Sequence, residues 1–186
     1  MPRILRPIRT RSGIAALAVA TVLAGGLWID LSEKDDSAPP VEVRRVSDTE
    51  DETIRVSREI LNVAGVKGKM TEPGPFTGKC AGRDPEKNYR IIYFWSIWDA
   101  PIQDLKQGME NLREKLPGKG WNIRSYGPDT SKSRSLELIA DFGRKKFTVM
   151  IHLYDESKNP APKAPESIIS VALSSACYQV PEGETV

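Results

Sequence analysis

Residues 89–116 read YRIIYFWSIWDAPIQDLKQGMENLREKL. The opening ten are β-branched or aromatic at nearly every position and apolar on both parities. That composition suits a strand with neighbours on either side. The pattern then changes period. Ile102, Leu105, Met109, Leu112 and Leu116 recur at spacings of three and four, which puts them on one face of a helix. Asp99 is the expected N-cap, with Pro101 in the first turn where a missing N–H costs nothing. Pro117-Gly118 is the expected stop. A central strand running into an amphipathic helix predicts a helix lying on a sheet.

The flanking sequence supplies the remainder of both layers. Towards the C-terminus, four segments read as strands: 121–126, 135–142, 146–154 and 168–178. In the last three, one parity is apolar: Leu136, Leu138, Ala140 and Phe142; Phe147, Val149, Ile151 and Leu153; Ile169, Val171 and Leu173. Gly143-Arg144-Lys145 reads as a hairpin turn and Asn159–Pro165 as a longer, stiffened one. Towards the N-terminus, residues 51–66 read as a helix carrying Val56, Ile60, Val63 and Ala64 inward, with Gly65 and Gly68 in C-cap positions. Residues 70–88 hold Pro73, Pro75 and Pro85 and read as a loop. The expected class is α+β: a two-layer sandwich, an antiparallel sheet of about five strands with two helices on one face. The other sheet face is left open and moderately polar.

The leader fixes the compartment. Arg3, Arg6, Arg9 and Arg11 precede Gly13–Ile29, a run of 17 residues without a charge, and Asp30 is the first acidic residue. As a helix that run is roughly 25 Å long, the short end of a membrane span. The basic flank keeps the N-terminus cytoplasmic. The competing reading is a cleaved signal, cut after Ala18-Val19-Ala20 or Ala24-Gly25-Gly26. Leu23-Ala24-Gly25-Gly26 resembles a lipoprotein box without its cysteine, so no lipid can be attached there. The expected organisation is a cytoplasmic basic tail (1–12), a transmembrane signal anchor (13–31), a polar tether (32–48), an extracytoplasmic domain (49–180) and a short tail (181–186). The expected localisation is the cell membrane, as a single-pass protein with its domain outside.

Charge narrows the partners. The chain has 27 Lys and Arg against 25 Asp and Glu; setting aside the four leader arginines leaves 23, a net charge near −2. The part of the chain after the leader thus has no overall basic excess for nucleic acid. Cys80 and Cys177 are the only cysteines. Outside a membrane an even pair predicts a disulfide. A loop of roughly 100 residues closed in this way contributes about 4–5 kcal/mol on chain entropy.

No catalytic set emerges. His152 is the sole histidine, so any Ser-His-Asp or Cys-His machinery has to use it. It lies mid-strand on the expected open face, with no nucleophile placed beside it. One histidine and an oxidised cysteine pair fall short of a zinc ligand set. Glu110 and Glu114 read as surface partners of Lys106, Arg113 or Lys115. Pro117-Gly118-Lys119-Gly120 leads from helix to strand, the wrong order for a phosphate loop. Arg144-Lys145-Lys146 reads as a hairpin tip. Tyr93, Trp95, Trp98 and Trp121 read as core, whereas an exposed aromatic beside Met150 and Tyr154 would signal a partner surface. Catalytic, cofactor and metal residues are therefore all expected to be none.

The arginine-led anchor, polar tether, Gly78-Lys79-Cys80, Pro117-Gly118-Lys119-Gly120-Trp121 and Ala176-Cys177-Tyr178 resemble uncharacterised actinobacterial (Streptomyces-type) membrane-anchored or lipoprotein-like extracytoplasmic domain proteins. The resemblance implies location and fold and carries over no catalytic residue. The expected role is a binding or interaction module of the cell envelope. Its partners are the membrane through its own anchor, and an envelope protein or wall component. The alternatives are an envelope hydrolase and a purely structural envelope protein.

Overall fold

The computed structural model describes residues 40–71, 73–157 and 166–186. The expected anchor and most of the tether lie outside the described residues. Among the described residues no helix is long and apolar enough to cross a membrane.

The protein is α+β, with two helices and an antiparallel sheet of eight strands, more than the five or so expected from the sequence. Helix α1 spans Val46–Ala64. Strands β1 (Lys69–Thr71), β2 (Phe76–Lys79) and β3 (Asn88–Trp98) follow, then helix α2 (Ile102–Lys115). The chain finishes with β4 (Asn122–Pro128), β5 (Leu136–Phe142), β6 (Phe147–Tyr154), β7 (Ile168–Ser175) and β8 (Tyr178–Gln179). The sheet runs β1-β3-β7-β6-β5-β4, with β2 and β8 also paired to β3.

The core forms where the alternation and the helical stripes meet. Tyr93, Trp95 and Ile97 of β3 stand opposite Leu173, Val171 and Ile169 of β7. Val149 and Ile151 of β6 continue the same face, followed by Ala140 and Leu138 of β5. Val56 and Ile60 of α1 and Leu105, Met109 and Leu112 of α2 are buried in that same cluster, so both helices cover one face of the sheet. The segment just past α1 packs tightly on α2 at Gly108, where an added Cβ would collide with Cγ2 of Val66.

The structure corrects several local expectations. The 70–88 segment is not all loop, because β1 and β2 pair along β3 from Trp98 to Tyr89. Helix α1 begins at Val46, inside the stretch whose composition suggested tether. Its first buried positions are threonines, Thr49 and Thr53, whose hydroxyls donate to the carbonyls of Arg45 and Thr49. Asp99 does not cap α2. Pro101 occupies the N-cap, and Asp99 sits at φ 54° with its carboxylate 2.8 Å from Lys69 Nζ.

The last strand is also interrupted. Ile92 pairs with Ser174, whereas Tyr89 pairs with Tyr178, so one extra residue is accommodated between them. The Ser175 hydroxyl accepts the N–H of Ile91 at this bulge, supplying the acceptor that the ladder lacks. Cys80 and Cys177 form the expected disulfide, with Cα atoms 6.0 Å apart and a sequence separation of 97. A second small cluster lies beside the bulge, made of Tyr89, Ile91, Tyr178 and Val180.

Candidate functional site

The uncovered face of the sheet is built by the alternate residues of the strands that fill the core. Phe94 on β3, Ala172 on β7, Met150 on β6 and Ile139 on β5 are successive cross-strand partners, giving one apolar rung across four strands. Beyond Ile168, the residues of β7 on this face are the small Ser170, Ala172 and Ser174. Phe76 on β2, opposite Ile92, lies diagonally to the rung, its ring centroid 5.8 Å from that of Phe94. The exposed members are Phe94 at 49 %, Phe76 at 46 %, Met150 at 39 % and Tyr154 at 38 %. Large apolar side chains gathered on one face mark a contact surface more often than an accident of composition.

The next rung is polar. Ser96, Ser170, His152 and Glu137 pair in turn across β3, β7, β6 and β5. The Nε2 of His152 lies 3.0 Å from Oε2 of Glu137 and 3.7 Å from Oδ2 of Asp129, with all three side chains largely shielded. The imidazole stacks on Tyr154 at 5.6 Å between centroids. Asp129 is held below the ordinary carboxylate range, first by the Ser131 hydroxyl and also by its backbone N–H and the nearby His152. Among the described residues no hydroxyl is hydrogen-bonded to the imidazole. The arrangement can hold or relay a proton.

A separate cleft of about 500 Å³ opens where α2 meets the ends of β5 and β6, over Leu136 and Leu153. Lys106 reaches across it to Asp155 at 2.8 Å, not to Glu110 as the helix spacing suggested. That contact, with the Ser157 hydroxyl, lowers Asp155 to about 2. Glu110 takes Arg113 at 2.8 Å and accepts the phenol of Tyr126 at 2.9 Å. Burial, reinforced by that hydrogen bond, raises Tyr126 to about 12. The polar groups on this wall are largely spoken for by one another. His152, Glu137 and Asp129 do not line the cleft.

The aromatic set divides. Tyr93, Trp95 and Trp121 are core, with Trp121 packed on Phe142 at 4.9 Å. Trp98 is half-buried, and Lys69 lies 5.0 Å from its ring centroid. The exposed aromatics are instead Phe76, Phe94 and Tyr154. Among the described residues no group of His, Cys, Asp and Glu has metal-binding geometry. The Glu137–His152 pairing was available from the sequence by counting back from the 143–146 turn, since Phe142 opposite Phe147 sets Glu137 opposite His152. Asp129 arrives from outside the hairpin, and nothing in the pattern announces it.

The chain matches no protein-family model, no characterised protein and no solved structure.

Proposed function

We propose that this chain is a membrane-tethered extracytoplasmic interaction module, whose partner is an envelope protein docking on the open face of the sheet. The apolar rung of Phe94, Ala172 and Met150, with Phe76 diagonal to it, carries this reading. Covering a large apolar side chain contributes about 1.5–3 kcal/mol, so a few such residues sustain a specific contact. The leader and the disulfide support an extracytoplasmic location, because the oxidised pair needs an oxidising compartment. The resemblance to actinobacterial envelope proteins agrees with that location.

The test is a photo-crosslinking residue at Met150 in cells, with the same residue at exposed Lys87 as control. The expected result is an envelope protein captured from Met150 and not from Lys87. Identical products from both positions would sink the reading. A C-terminal reporter after Val186 tests the orientation, and should be active only outside the membrane.

The 3.0 Å approach of Glu137 to His152 favours an envelope hydrolase as a second reading. It requires that His152→Ala abolish an activity that Phe94→Ser leaves intact. Hydrolysis unaffected by His152→Ala would remove it.

A further inference from the structure

We propose that the furrow between α1 and α2 is a binding site for a linear phosphate polymer. The two helices are antiparallel neighbours. The Asn111 amide of α2 donates to the Ala64 carbonyl at the end of α1, and Lys115 and Lys119 then run back along Arg58 and Arg55. Arg55, Arg58, Glu59, Asn62 and Val63 form one wall, and Lys115 and Lys119 the other, around about 500 Å³. Among the described residues Glu59 is the one acidic group lining the furrow.

The cations here differ from many others in the domain. Arg44, Arg45, Lys69, Lys106, Arg113, Arg124 and Lys146 each lie within ion-pair distance of a carboxylate. Among the described residues Arg55, Arg58 and Lys119 have no such partner, and Lys115 bonds the Asn111 side-chain oxygen at 2.8 Å. The track extends past the helix. Gly120 adopts φ 94°, and an added Cβ would sit 3.0 Å from the Arg144 guanidinium, so Arg144 lies against the backbone beside Lys119. Four basic residues thus line one furrow, with Arg144 beside its Lys119 end.

The shape and chemistry together select the ligand. Guanidinium forks match phosphate oxygens in pairs, and lysines add point charge. The exposed cations stand on both sides of the furrow, where a chain of phosphates can engage them in succession. This inference is independent of the sheet-face reading, because the furrow is on the helical layer.

The test uses the full chain in detergent micelles, with long-chain inorganic polyphosphate as the probe and fluorescence anisotropy as the readout. Binding should weaken about 50-fold between 50 and 200 mM salt if four cations displace counterions from a single-strand polyanion. The Arg55→Gln/Arg58→Gln/Lys115→Gln/Lys119→Gln variant should lose at least about tenfold in affinity. A control removing equal charge elsewhere, Lys79→Gln/Lys87→Gln/Arg90→Gln/Lys132→Gln, should stay within about threefold. Both variants should melt with the parent, since all the substituted groups are on the surface. Equal losses in both variants, or no binding by the parent, would overturn the proposal. So would orthophosphate binding as tightly as the polymer, or furrow-dependent binding to phosphatidylglycerol vesicles that matches or exceeds it.

Discussion

Cys80 and Cys177 are joined over the top of a strand that separates them. Lys79 and Tyr178, their immediate neighbours, pair with Tyr89 from opposite sides. Strands two places apart ordinarily stand about 9.5 Å from each other. Here the bonded Cα atoms are 6.0 Å apart, because the chain leaves regular pairing at the bulge after Ser175. The disulfide therefore staples β2 and β8 together around β3.

Removing that staple should be costly. Cys80→Ser or Cys177→Ser should lower unfolding stability by about 2–4 kcal/mol in a denaturant titration. Amide exchange should accelerate first in β1 and β2, which bury little apolar surface of their own. The parent should show no free thiol without reductant. A variant as stable as the parent would show that the staple contributes nothing.

Adjacent residues of β3 should respond in opposite ways. Trp95→Ala removes a buried ring and should cost about 3–5 kcal/mol. Phe94→Ser acts on the exposed face and should shift stability by no more than about 1 kcal/mol. Partner capture through Met150 should nevertheless be lost in Phe94→Ser. Large destabilisation by Phe94→Ser would mean that the outer face is structural.

Gly108→Ala tests the helix contact. In an exposed helix this exchange would stabilise by about 1 kcal/mol. Here the methyl meets Val66, and overpacking should reverse the sign and destabilise by about 1–3 kcal/mol. A rise in melting temperature would show that α1 can move away without penalty.

Acid should selectively weaken the end of the sheet near Asp155. Its folded pKa is lowered to about 2 from an ordinary 3.8, chiefly by Lys106. The unfolded chain therefore binds this proton first as pH falls. The stabilisation is complete above about pH 4 and is lost on the way down through about 2. Because the group is partly solvated, screening limits its contribution to about 1 kcal/mol. Asp155→Asn should remove that part of the acid dependence, and urea midpoints at pH 6 and pH 2.5 measure it.

Much of this architecture is legible because two periods are cleanly written. The alternation in β5, β6 and β7 and the stripe of α2 bury large apolar groups, and such groups announce themselves. What escaps notice does its work with other chemistry. The first turns of α1 bury threonines that satisfy their own hydroxyls, so the stripe does not register as apolar. Strands β1 and β2 are short, flanked by proline and glycine, and held by the ladder and the disulfide more than by burial. Asp99 has the right residue type for a cap but is drawn to Lys69. The furrow was hidden because its cations come from separate segments, each with unremarkable charge.

The start of the described chain bears on how the domain meets a pull. Arg44 N–H donates to the carbonyl of Gln179 at 2.8 Å, Gln179 N–H returns a bond to Glu42 at 3.0 Å, and Glu42 meets Lys146 at 2.9 Å. Tension arriving from ahead of Glu42 is taken up by these contacts before it reaches α1. Through Gln179 the load passes to β8, and two residues further to the covalent crossing of β3. A drag on the N-terminal side is thus spread over the sheet instead of peeling the first helix away turn by turn.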